Sequence, residues 1–445
     1  MKPTVFSTIG VAASELFLPA ESVSLTDWSV IACDQHTSDF PYWEDVEEKI
    51  QNKPSTGHLI LPEVYLETKS EKWLQEKINT IRANMNAYLE SQTLQTYPCG
   101  FILTNRETSL HPSRKGLILC IDLDEYDYTP GSKKKIRATE GTILSRIPPR
   151  VKIRKDSPLE LPHVLLLLDD PLHQVIDVAW NALSSSGEPL LYDTPLMKGG
   201  GHIKGYYVNA ESEHAKNIVK SLETLYQASE DGLLFAVGDG NHSLATAKAH
   251  WDALSPTLSS EEREHHPARF ALTEVINIHD KGLDFEPIHR VAFHFPLKNV
   301  LEKAGEYFKD QSFMWVDRDD FQKESILSSL SKEAHCFPLY SCAASKEPSG
   351  ILIVDKPQAS LPVETLQGFL DASSKESSLM SIDYIHGEEA VSSLSNENDT
   401  GFLSPPISKD DFFSFIAKSG VFPRKTFSMG EAFEKRYYME AKKII

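Results

Sequence analysis

The sequence predicts a mixed α/β fold in which several mixed sheets are flanked by helices. Short runs rich in leucine and β-branched residues recur at positions 100–104, 116–123, 163–168, 233–237 and 350–354. Stretches with apolar residues at helical spacing lie between these runs. No fixed-period repeat and no long Gly/Ser or Pro linker interrupts this order, which is typical of helices layered on sheets.

Hydrophobic periodicity predicts three helices in particular. The first has one apolar face made of Leu74, Ile78, Ile81, Met85 and Leu89. The second covers residues 218–226 and runs into a Ser-Glu-Asp-Gly turn before the strand at 233–237. The third spans residues 241–254, where Leu244, Ala247, Trp251 and Leu254 recur at helical intervals.

The chain has 445 residues and a mass of 49.9 kDa, more than one ordinary domain. We expect an N-terminal α/β unit over 1–130, a core unit with the active site over 131–300, and a C-terminal α/β unit over 301–445. The segment 373–404 is rich in Ser, Asn, Glu and Asp, and we expect surface loops there that could form a lid.

Charge and cysteine usage exclude several classes of partner. The formal net charge of −19 and the pI near 5.3 predict repulsion of nucleic acid and of anionic membranes. The five scattered cysteines lack C-x-x-C spacing and predict reduced thiols. No secretory signal and no membrane-length apolar run is found, so we expect a cytoplasmic protein, as a monomer or homodimer.

The segment Gly238-Asp239-Gly240-Asn241-His242-Ser243 is the strongest candidate for an active site. It follows a predicted strand and opens a predicted helix, so its backbone N–H groups and the positive end of the helix dipole would face an anion. It also places a carboxylate and an imidazole at the same point. The alternative is an Asp-Gly turn with an Asn helix cap.

A second candidate is a basic cluster in this acidic chain. Nine basic residues fall between positions 133 and 155, against the single acidic residue Glu140. Such a concentration can bind a small polyanion such as pyrophosphate or a nucleotide tail. Arg137, Arg146 and Arg150 are the best candidates, because a guanidinium binds phosphate bidentately. The alternative is a solvated strand pair, which the lysines at 133–135 fit.

A third candidate is the glycine-rich segment at 198–205, which contains His202 and Lys204. Its glycines would let the backbone approach a ligand that Lys204 neutralises, whereas a plain hairpin is the alternative. The polar clusters at 33–38 and 423–430 are interpreted as loops or caps. The phosphate loop of NTPases and the protein-kinase, serine-hydrolase and zinc-protease motifs are all missing from the sequence.

Six motifs together resemble family ten-fifteen of the domains of unknown function. They are Ala-Cys-Asp-Gln-His-Thr at 32–37, Ile-Leu-Pro-Glu-Val-Tyr-Leu at 60–66, Arg-Ala-Thr-Glu-Gly-Thr at 137–142, Gly-Gly-His-Ile-Lys-Gly at 200–205, Gly-Asp-Gly-Asn-His-Ser at 238–243 and Pro-Arg-Lys-Thr-Phe-Ser-Met-Gly at 423–430. The Asp-Gly-Asn-His turn is also similar to a turn of the ParB and sulfiredoxin superfamily, which includes kinases of free serine. This similarity implies a ParB/sulfiredoxin-like element around that turn. Ser243 stands where the superfamily usually carries arginine, so another cation must bind the transferred phosphate.

The resemblance implies a phosphotransferase that converts free L-serine into O-phosphoserine, with pyrophosphate or ATP/ADP as donor and Mg²⁺ as cofactor. Either Glu140 or Asp239 would be the base, and Asp239 would also be able to hold the metal through water. The remaining expected site residues are His242, which acts with the base, and the substrate and phosphate ligands Arg137, Thr142, Arg146, Arg150, His202, Lys204, Gly240, Asn241 and Ser243.

Three other functions remain open from the sequence. One is a metal-dependent phosphohydrolase built on Asp34, Asp239 and nearby histidines. Another is a nucleotide- or metabolite-binding regulatory protein without catalysis. A nucleotide-gated DNA switch is disfavoured by the net charge. The kinase hypothesis requires that the basic cluster, the glycine-rich segment and the Asp239 turn meet in space.

Overall fold

The structure is a computed structural model that describes residues 1–66, 68–320 and 330–445. The chain forms two compact units. The larger unit comprises Met1–Asp284, Lys409–Val421 and Met429–Ile445, and the smaller unit comprises Phe285–Ser408 and Phe422–Ser428. The boundaries expected at residues 130 and 300 do not coincide with these. Each unit combines helices with a sheet, so the predicted α/β class is confirmed.

The described strands, numbered along the chain, are β1 (Thr4–Phe6), β2 (Val11–Pro19), β3 (Leu94–Glu107), β4 (Arg114–Asp122), β5 (Tyr126–Asp127), β6 (Ile136–Arg137), β7 (Leu159–Glu160), β8 (Leu165–Leu168), β9 (Tyr192–Pro195), β10 (His202–Asn209), β11 (Phe235–Asp239), β12 (Phe270–Asn277), β13 (Phe285–Phe293), β14 (Phe313–Asp317), β15 (His335–Tyr340), β16 (Gly350–Val354), β17 (Ser381–His386), β18 (Thr400–Phe402), β19 (Phe427–Met429) and β20 (Lys442–Lys443).

The described α-helices are α1 (Leu25–Trp28), α2 (Phe40–Ile50), α3 (Glu71–Glu90), α4 (Ile147–Arg154), α5 (Ile176–Ser186), α6 (Glu213–Ala228), α7 (Asn241–Leu254), α8 (Ser260–His265), α9 (Leu297–Tyr307), α10 (Pro362–Glu376), α11 (Glu388–Leu394) and α12 (Lys409–Ser419). The three helices predicted from periodicity are α3, α6 and α7. Helix α6 begins after Ser212, whose hydroxyl accepts the Ala215 N–H at 3.1 Å. Such a cap stabilises a helix by about 1 kcal/mol.

One mixed sheet forms the centre of the larger unit. Its strand order is β5-β6-β11-β8-β12-β4-β2-β3-β10-β9, with β1 on β2 and a direct pairing of β3 with β4. Strand β11 is parallel to β6 and antiparallel to β8, and β12 is parallel to β8. Strands β7 and β20 pair separately. The site described below lies where β11 ends.

Both faces of this sheet are covered. Successive side chains of a strand point to opposite faces, so Phe101 of β3 enters one core and Ile102 enters the other. The first core also contains Trp180 of α5 and Trp251 of α7, and the second contains Trp43 of α2. This two-sided burial explains why β4 and β8 read as continuous apolar runs in the sequence.

The smaller unit has its own sheet, in the order β14-β16-β15-β18-β13-β17 with β19 on β13. The expectation of surface loops over 373–404 is wrong, because β17, α11 and β18 lie in this segment. Strand β17 is an edge strand whose side chains are largely accessible, and α11 buries Val391 while most of its polar residues face solvent. Edge position therefore explains the polar composition.

Candidate functional site

The predicted turn joins β11 to α7, and two glycines shape it. The pairing of β11 with β8 is irregular between Val237 and Asp239, at Gly238. A Cβ on Gly238 would lie 2.6 Å from the Met429 Cε, so a larger residue there would displace the Met429 side chain. Gly240 has a φ of +81°, which L-residues rarely adopt, and it precedes the first residue of α7.

The first turn of α7 presents backbone donors. The first amide hydrogen-bonded back to the cap is that of Leu244, which donates to the Gly240 carbonyl at 3.0 Å. No side chain of the described residues caps the helix at Gly240. The N–H groups of Asn241, His242 and Ser243 therefore lie at the helix end, where an anion is favoured.

The carboxylate of Asp239 is held by an ammonium group that the sequence analysis missed. Lys435 Nζ lies 3.0 Å from Asp239 Oδ2, and the two side chains are 13% and 26% exposed. The Gly240 N–H donates to Asp239 Oδ1 at 2.8 Å. Burial raises the pKa of Asp239, but Lys435, the Gly240 N–H and nearby His163 more than offset this effect, so the pKa is lowered. Asp239 is therefore ionised and paired.

His163 links this carboxylate to a second one, Asp34. A Cβ on Gly240 would lie 3.5 Å from His163 Cδ2, so the ring packs against the turn. His163 Nε2 lies 3.8 Å from Asp34 Oδ2, and Gln35 Nε2 donates to Asp34 Oδ1 at 3.0 Å. The cluster at 33–38, interpreted above as a loop or cap, thus contributes an acidic side chain to the site.

Tyr438 orients the imidazole of His163. The Cys33 N–H donates to the Tyr438 hydroxyl at 3.1 Å, and that hydroxyl lies 2.8 Å from His163 Nδ1. Burial, with nearby Cys33 and Asp34, holds the pKa of Tyr438 well above its ordinary value. A neutral phenol that already accepts one N–H donates its own proton to Nδ1, which leaves the imidazole proton on Nε2, facing Asp34.

The segment that follows β6 runs beside the same turn. The Thr139 hydroxyl donates to the Val237 carbonyl at 2.6 Å, and the Ile143 N–H lies 3.3 Å from His242 Nε2. Glu140 and Thr142 lie between these two anchors. Thr142 Oγ1 and Asn241 Oδ1 are buried, and neither atom has a hydrogen-bond partner among the described residues. These two oxygens have room for polar groups of a ligand.

Two of the three predicted phosphate-binding arginines, Arg137 and Arg150, are already paired with acidic residues. Arg137 is 3% exposed, and its guanidinium lies 3.1 Å from Asp231 Oδ2 and donates to the Asp231 carbonyl at 2.7 Å. Arg150 forms an ion pair with Glu63, and its Nη1 donates to the carbonyl of exposed Arg146 at 2.8 Å. Arg137 thus supports the turn at Asp231, and Arg150 lies beside Cys33 and Asp34 through Glu63.

His202 and Lys204 lie in a different part of the sheet. Both pair with Asp193 of the neighbouring strand, and Lys204 Nζ is 3.7 Å from that carboxylate. Strands β8, β12, β4, β2 and β3 lie between β11 and β10. The structure therefore brings the Asp239 turn together with residues 139–143, and it does not bring Lys204 there. The segment does form the hairpin that was the alternative interpretation.

The donors around Asp239 do not form a resident metal site. No group of three His, Cys, Asp or Glu residues among 1–66, 68–320 and 330–445 could hold a metal ion. Both oxygens of Asp239 already accept from Lys435 and Gly240. None of the described helices is long and apolar enough to span a bilayer.

Lys435, Tyr438 and His163 were not predicted as site residues, and Asp34 was named only for the alternative phosphohydrolase. Asp34 lies in one of the six motifs quoted above, and that motif was the only sequence signal for it. Lys435 and Tyr438 lie in an unremarkable stretch, Phe-Glu-Lys-Arg-Tyr-Tyr, near the end of the sequence. No local pattern marks them, because they reach the site only through the packing of residues 433–441 on the sheet.

Several solved structures are similar to this chain at low sequence identity. Among solved structures, the chain is similar to a free serine kinase in complex with AMP, at 12% identity and a TM-score of 0.36, covering 74% of this chain and 92% of that one. It is also similar to SbnI with a C-terminal truncation from Staphylococcus aureus, at 11% identity and a TM-score of 0.35, covering 70% and 82%. A conserved hypothetical protein from Pyrococcus furiosus has 12% identity and a TM-score of 0.34, covering 72% and 94%.

No protein of curated function matches this sequence. Residues 16–373 match the family described as protein of unknown function, DUF1015. That match spans well over half of the 445 residues. The chain therefore belongs to the DUF1015 family.

Proposed function

We propose that the site around Asp239 transfers a phosphoryl group to the hydroxyl of a small substrate, free L-serine, with pyrophosphate or an adenine nucleotide as donor. One observation carries the proposal: the uncapped start of α7, the Lys435 ammonium and the Asp239 carboxylate lie at one turn, and His163, which packs on that turn, lies 3.8 Å from a second carboxylate, Asp34. Phosphoryl transfer needs donors for phosphate oxygens and a base near the attacking hydroxyl, and this turn offers both.

The phosphate donor would bind at the helix end. The N–H groups of Asn241, His242 and Ser243 would hydrogen-bond phosphate oxygens, and the helix dipole favours negative charge there. Lys435 would neutralise part of that charge, in the role expected above for Lys204 or an arginine. Mg²⁺ bound together with the donor, with Asp239 holding it through water, would neutralise part of the charge of the phosphate.

Asp34 is the better general base of the two carboxylates near His163. Both oxygens of Asp239 accept hydrogen bonds already, and its lowered pKa makes it a weak base. Asp34 Oδ2 faces the Nε2–H of His163 at 3.8 Å, which orients it without neutralising it. In the transfer, Asp34 takes the proton of the hydroxyl while the new P–O bond forms. The old P–O bond breaks, and its electron pair leaves with phosphate or the nucleotide.

Glu140, Thr142, Arg146 and Arg150 would then hold the acceptor and the outer part of the donor. The unpaired oxygens Thr142 Oγ1 and Asn241 Oδ1 are suited to accept from an ammonium or hydroxyl group of the substrate. Arg150, paired with Glu63 near Asp34, is placed on the acceptor side of the site. Glu140 remains a candidate for the base alongside Asp34.

The experiment incubates the protein with Mg²⁺, L-serine and either ATP, ADP or pyrophosphate, and follows phosphorus resonances. O-phosphoserine is expected from one donor. Asp34→Asn should lower kcat by at least 100-fold with little change in KM, because general-base catalysis contributes about 10²–10⁴ in rate. Glu140→Gln and Asp239→Asn tested in parallel show which carboxylate accepts the proton.

A matched control is Lys204→Met, which removes an exposed lysine that pairs with Asp193 away from the turn. It should leave turnover unchanged, whereas Lys435→Met should not. No phosphoserine from any donor contradicts the kinase proposal. Phosphate release without an acceptor would favour the hydrolase, and nucleotide binding without turnover would favour the regulatory protein.

A further inference from the structure

The stretch 433–438 delivers both Lys435 and Tyr438 to the site, and one buried arginine binds the backbone of its first half. Arg106 of β3 is 4% exposed. Its Nη1 donates to the carbonyls of Glu434 and Lys435 at 3.3 and 2.5 Å, and its Nη2 donates to the Phe433 carbonyl at 2.5 Å. One guanidinium therefore binds three consecutive carbonyls, and the Glu434 carbonyl also accepts from Arg114 Nη2 at 2.7 Å.

The same guanidinium reaches a second segment. Its Nε and Nη2 donate to the Gly200 carbonyl at 3.2 and 2.8 Å. The ring of Tyr437 lies over it, with 4.8 Å between the ring centroid and Cζ. Arg106 therefore ties the glycine-rich loop and the stretch 433–435 to one strand, and all five contacts end on carbonyl oxygens.

The rest of this stretch is anchored independently of Arg106. Arg436 Nη1 lies 2.9 Å from Glu274 Oε2, the Tyr437 hydroxyl donates to the Met197 carbonyl at 3.1 Å, and the Met439 carbonyl accepts from Trp28 Nε1 at 2.9 Å. These contacts hold residues 436–439. Glu434 also keeps its contacts with Arg114 and Thr108. Loss of the Arg106 contacts would therefore act mainly on the carbonyls of Phe433 and Lys435, while the neighbouring residues stay packed.

We propose that Arg106 is a positioning residue that sets the place of the Lys435 ammonium against Asp239. The inference rests on the proposed function of that site. The carbonyl of Lys435 itself is one of the bound groups, so the guanidinium acts on the residue that pairs with Asp239. Only an arginine offers five N–H donors in one plane, as the four carbonyls of two segments require.

Arg106 is not needed to neutralise an acidic partner. Within the described residues it forms no ion pair, and burial lowers its pKa to about 9, helped by nearby Arg114. A buried guanidinium without a carboxylate is unfavourable for folding alone. Its contacts with two backbone segments give a reason for its presence that lies in the geometry of the site.

The test measures the titration of Asp239 by carboxyl ¹³C NMR in the full chain. Lys435→Met should raise the pKa of Asp239, since the ammonium that lowers it is gone. Arg106→Met should raise it in the same direction, and Arg106→Lys should give a smaller rise. The double variant with Met at both positions should titrate like Lys435→Met alone, because both changes act on one contact. Arg269→Met, which removes a half-buried arginine paired with Asp122, is the matched control and should leave the titration unchanged.

Pyrophosphate binding, measured by calorimetry, supplies a second readout. Arg106→Met should weaken pyrophosphate binding about tenfold, as expected for the loss of one charge-assisted hydrogen bond. The double variant should bind pyrophosphate no more weakly than Lys435→Met alone. An unshifted Asp239 titration in Arg106→Met, with reduced thermal stability, would overturn the proposal and leave Arg106 a purely structural residue. If Arg106→Met does not fold, an unshifted titration in folded Arg106→Lys would have the same meaning. Failure of the wild-type protein to bind pyrophosphate or ADP would count against the proposed function, whereas the NMR titration still decides the role of Arg106.

Discussion

The ion pair between Lys435 and Asp239 should make the stability of the larger unit depend on pH in a defined way. Lys435→Met removes the ammonium 3.0 Å from Asp239 Oδ2 and keeps a side chain of similar length. In the wild-type protein, burial raises the pKa of Asp239, and Lys435 is the main group that lowers it. In the variant the effect of burial is largely unopposed, so the pKa rises.

The size of the effect follows from the geometry. Both side chains are less than a third exposed, at 13% and 26%, so solvent screens the pair only in part. A charge-assisted hydrogen bond of this kind contributes about 2 kcal/mol. The lowered pKa of Asp239 stabilises the fold above the unfolded value near 3.9, and that contribution disappears as the pH falls through the folded value. The variant should therefore be about 2 kcal/mol less stable at neutral pH, and the difference should narrow on acidification.

Urea unfolding followed by tryptophan fluorescence measures this difference. Five of the six tryptophans, at positions 28, 43, 73, 180 and 251, lie in the larger unit, so the signal reports mainly on it. Lys204→Met is the control, since its partner Asp193 is 3.7 Å away and both are exposed. It should change stability by less than about 0.5 kcal/mol. An equal loss for Lys435→Met at neutral and at acidic pH would refute the reasoning.

Three further predictions concern residues at the turn. Gly240→Ala should lower the free energy of unfolding by at least about 1–2 kcal/mol, since alanine is strained at a φ of +81° and its Cβ would lie 3.1 Å from the Val164 Cα. The control Gly187→Ala, with a φ of +74° in open space, should show the backbone cost in denaturation without weakening pyrophosphate binding in calorimetry. Tyr438→Phe should cost about 1–3 kcal/mol because the buried Cys33 N–H loses its acceptor, and unchanged stability in urea would contradict that pairing. Alkylation of Cys33 should be slow at neutral pH, because burial and the charges of Asp34 and Glu63 raise the pKa of its thiol. Mass spectrometry measures the labelling rate against that of exposed Cys342, and rapid labelling of Cys33 would count against this prediction.

Local pattern in the sequence was sufficient for the α/β class, for helices α3, α6 and α7, and for the turn between β11 and α7. Helix α7 begins at Asn241, as the spacing of Leu244, Ala247 and Trp251 indicates. These features depend on residues a few positions apart, whose periodicity and glycines express backbone geometry directly. The same local reasoning failed over 373–404, because an exposed edge strand and a short surface helix are as polar as loops.

The charged partners of the site depended on the tertiary structure alone. The sequence marked Arg137, Arg150 and Lys204 as free cations, but each has a carboxylate partner that lies far from it in sequence or on a neighbouring strand. Lys435 reaches Asp239 because buried side chains of several strands hold the stretch 433–438 against the sheet. A charge at a given position has the same sequence signature whether it is paired or available. Which of the two applies is determined by the packing of distant segments. The turn at Asp239 was predictable because it depends on neighbouring residues, whereas its ammonium partner was not, because Lys435 reaches it only through that packing.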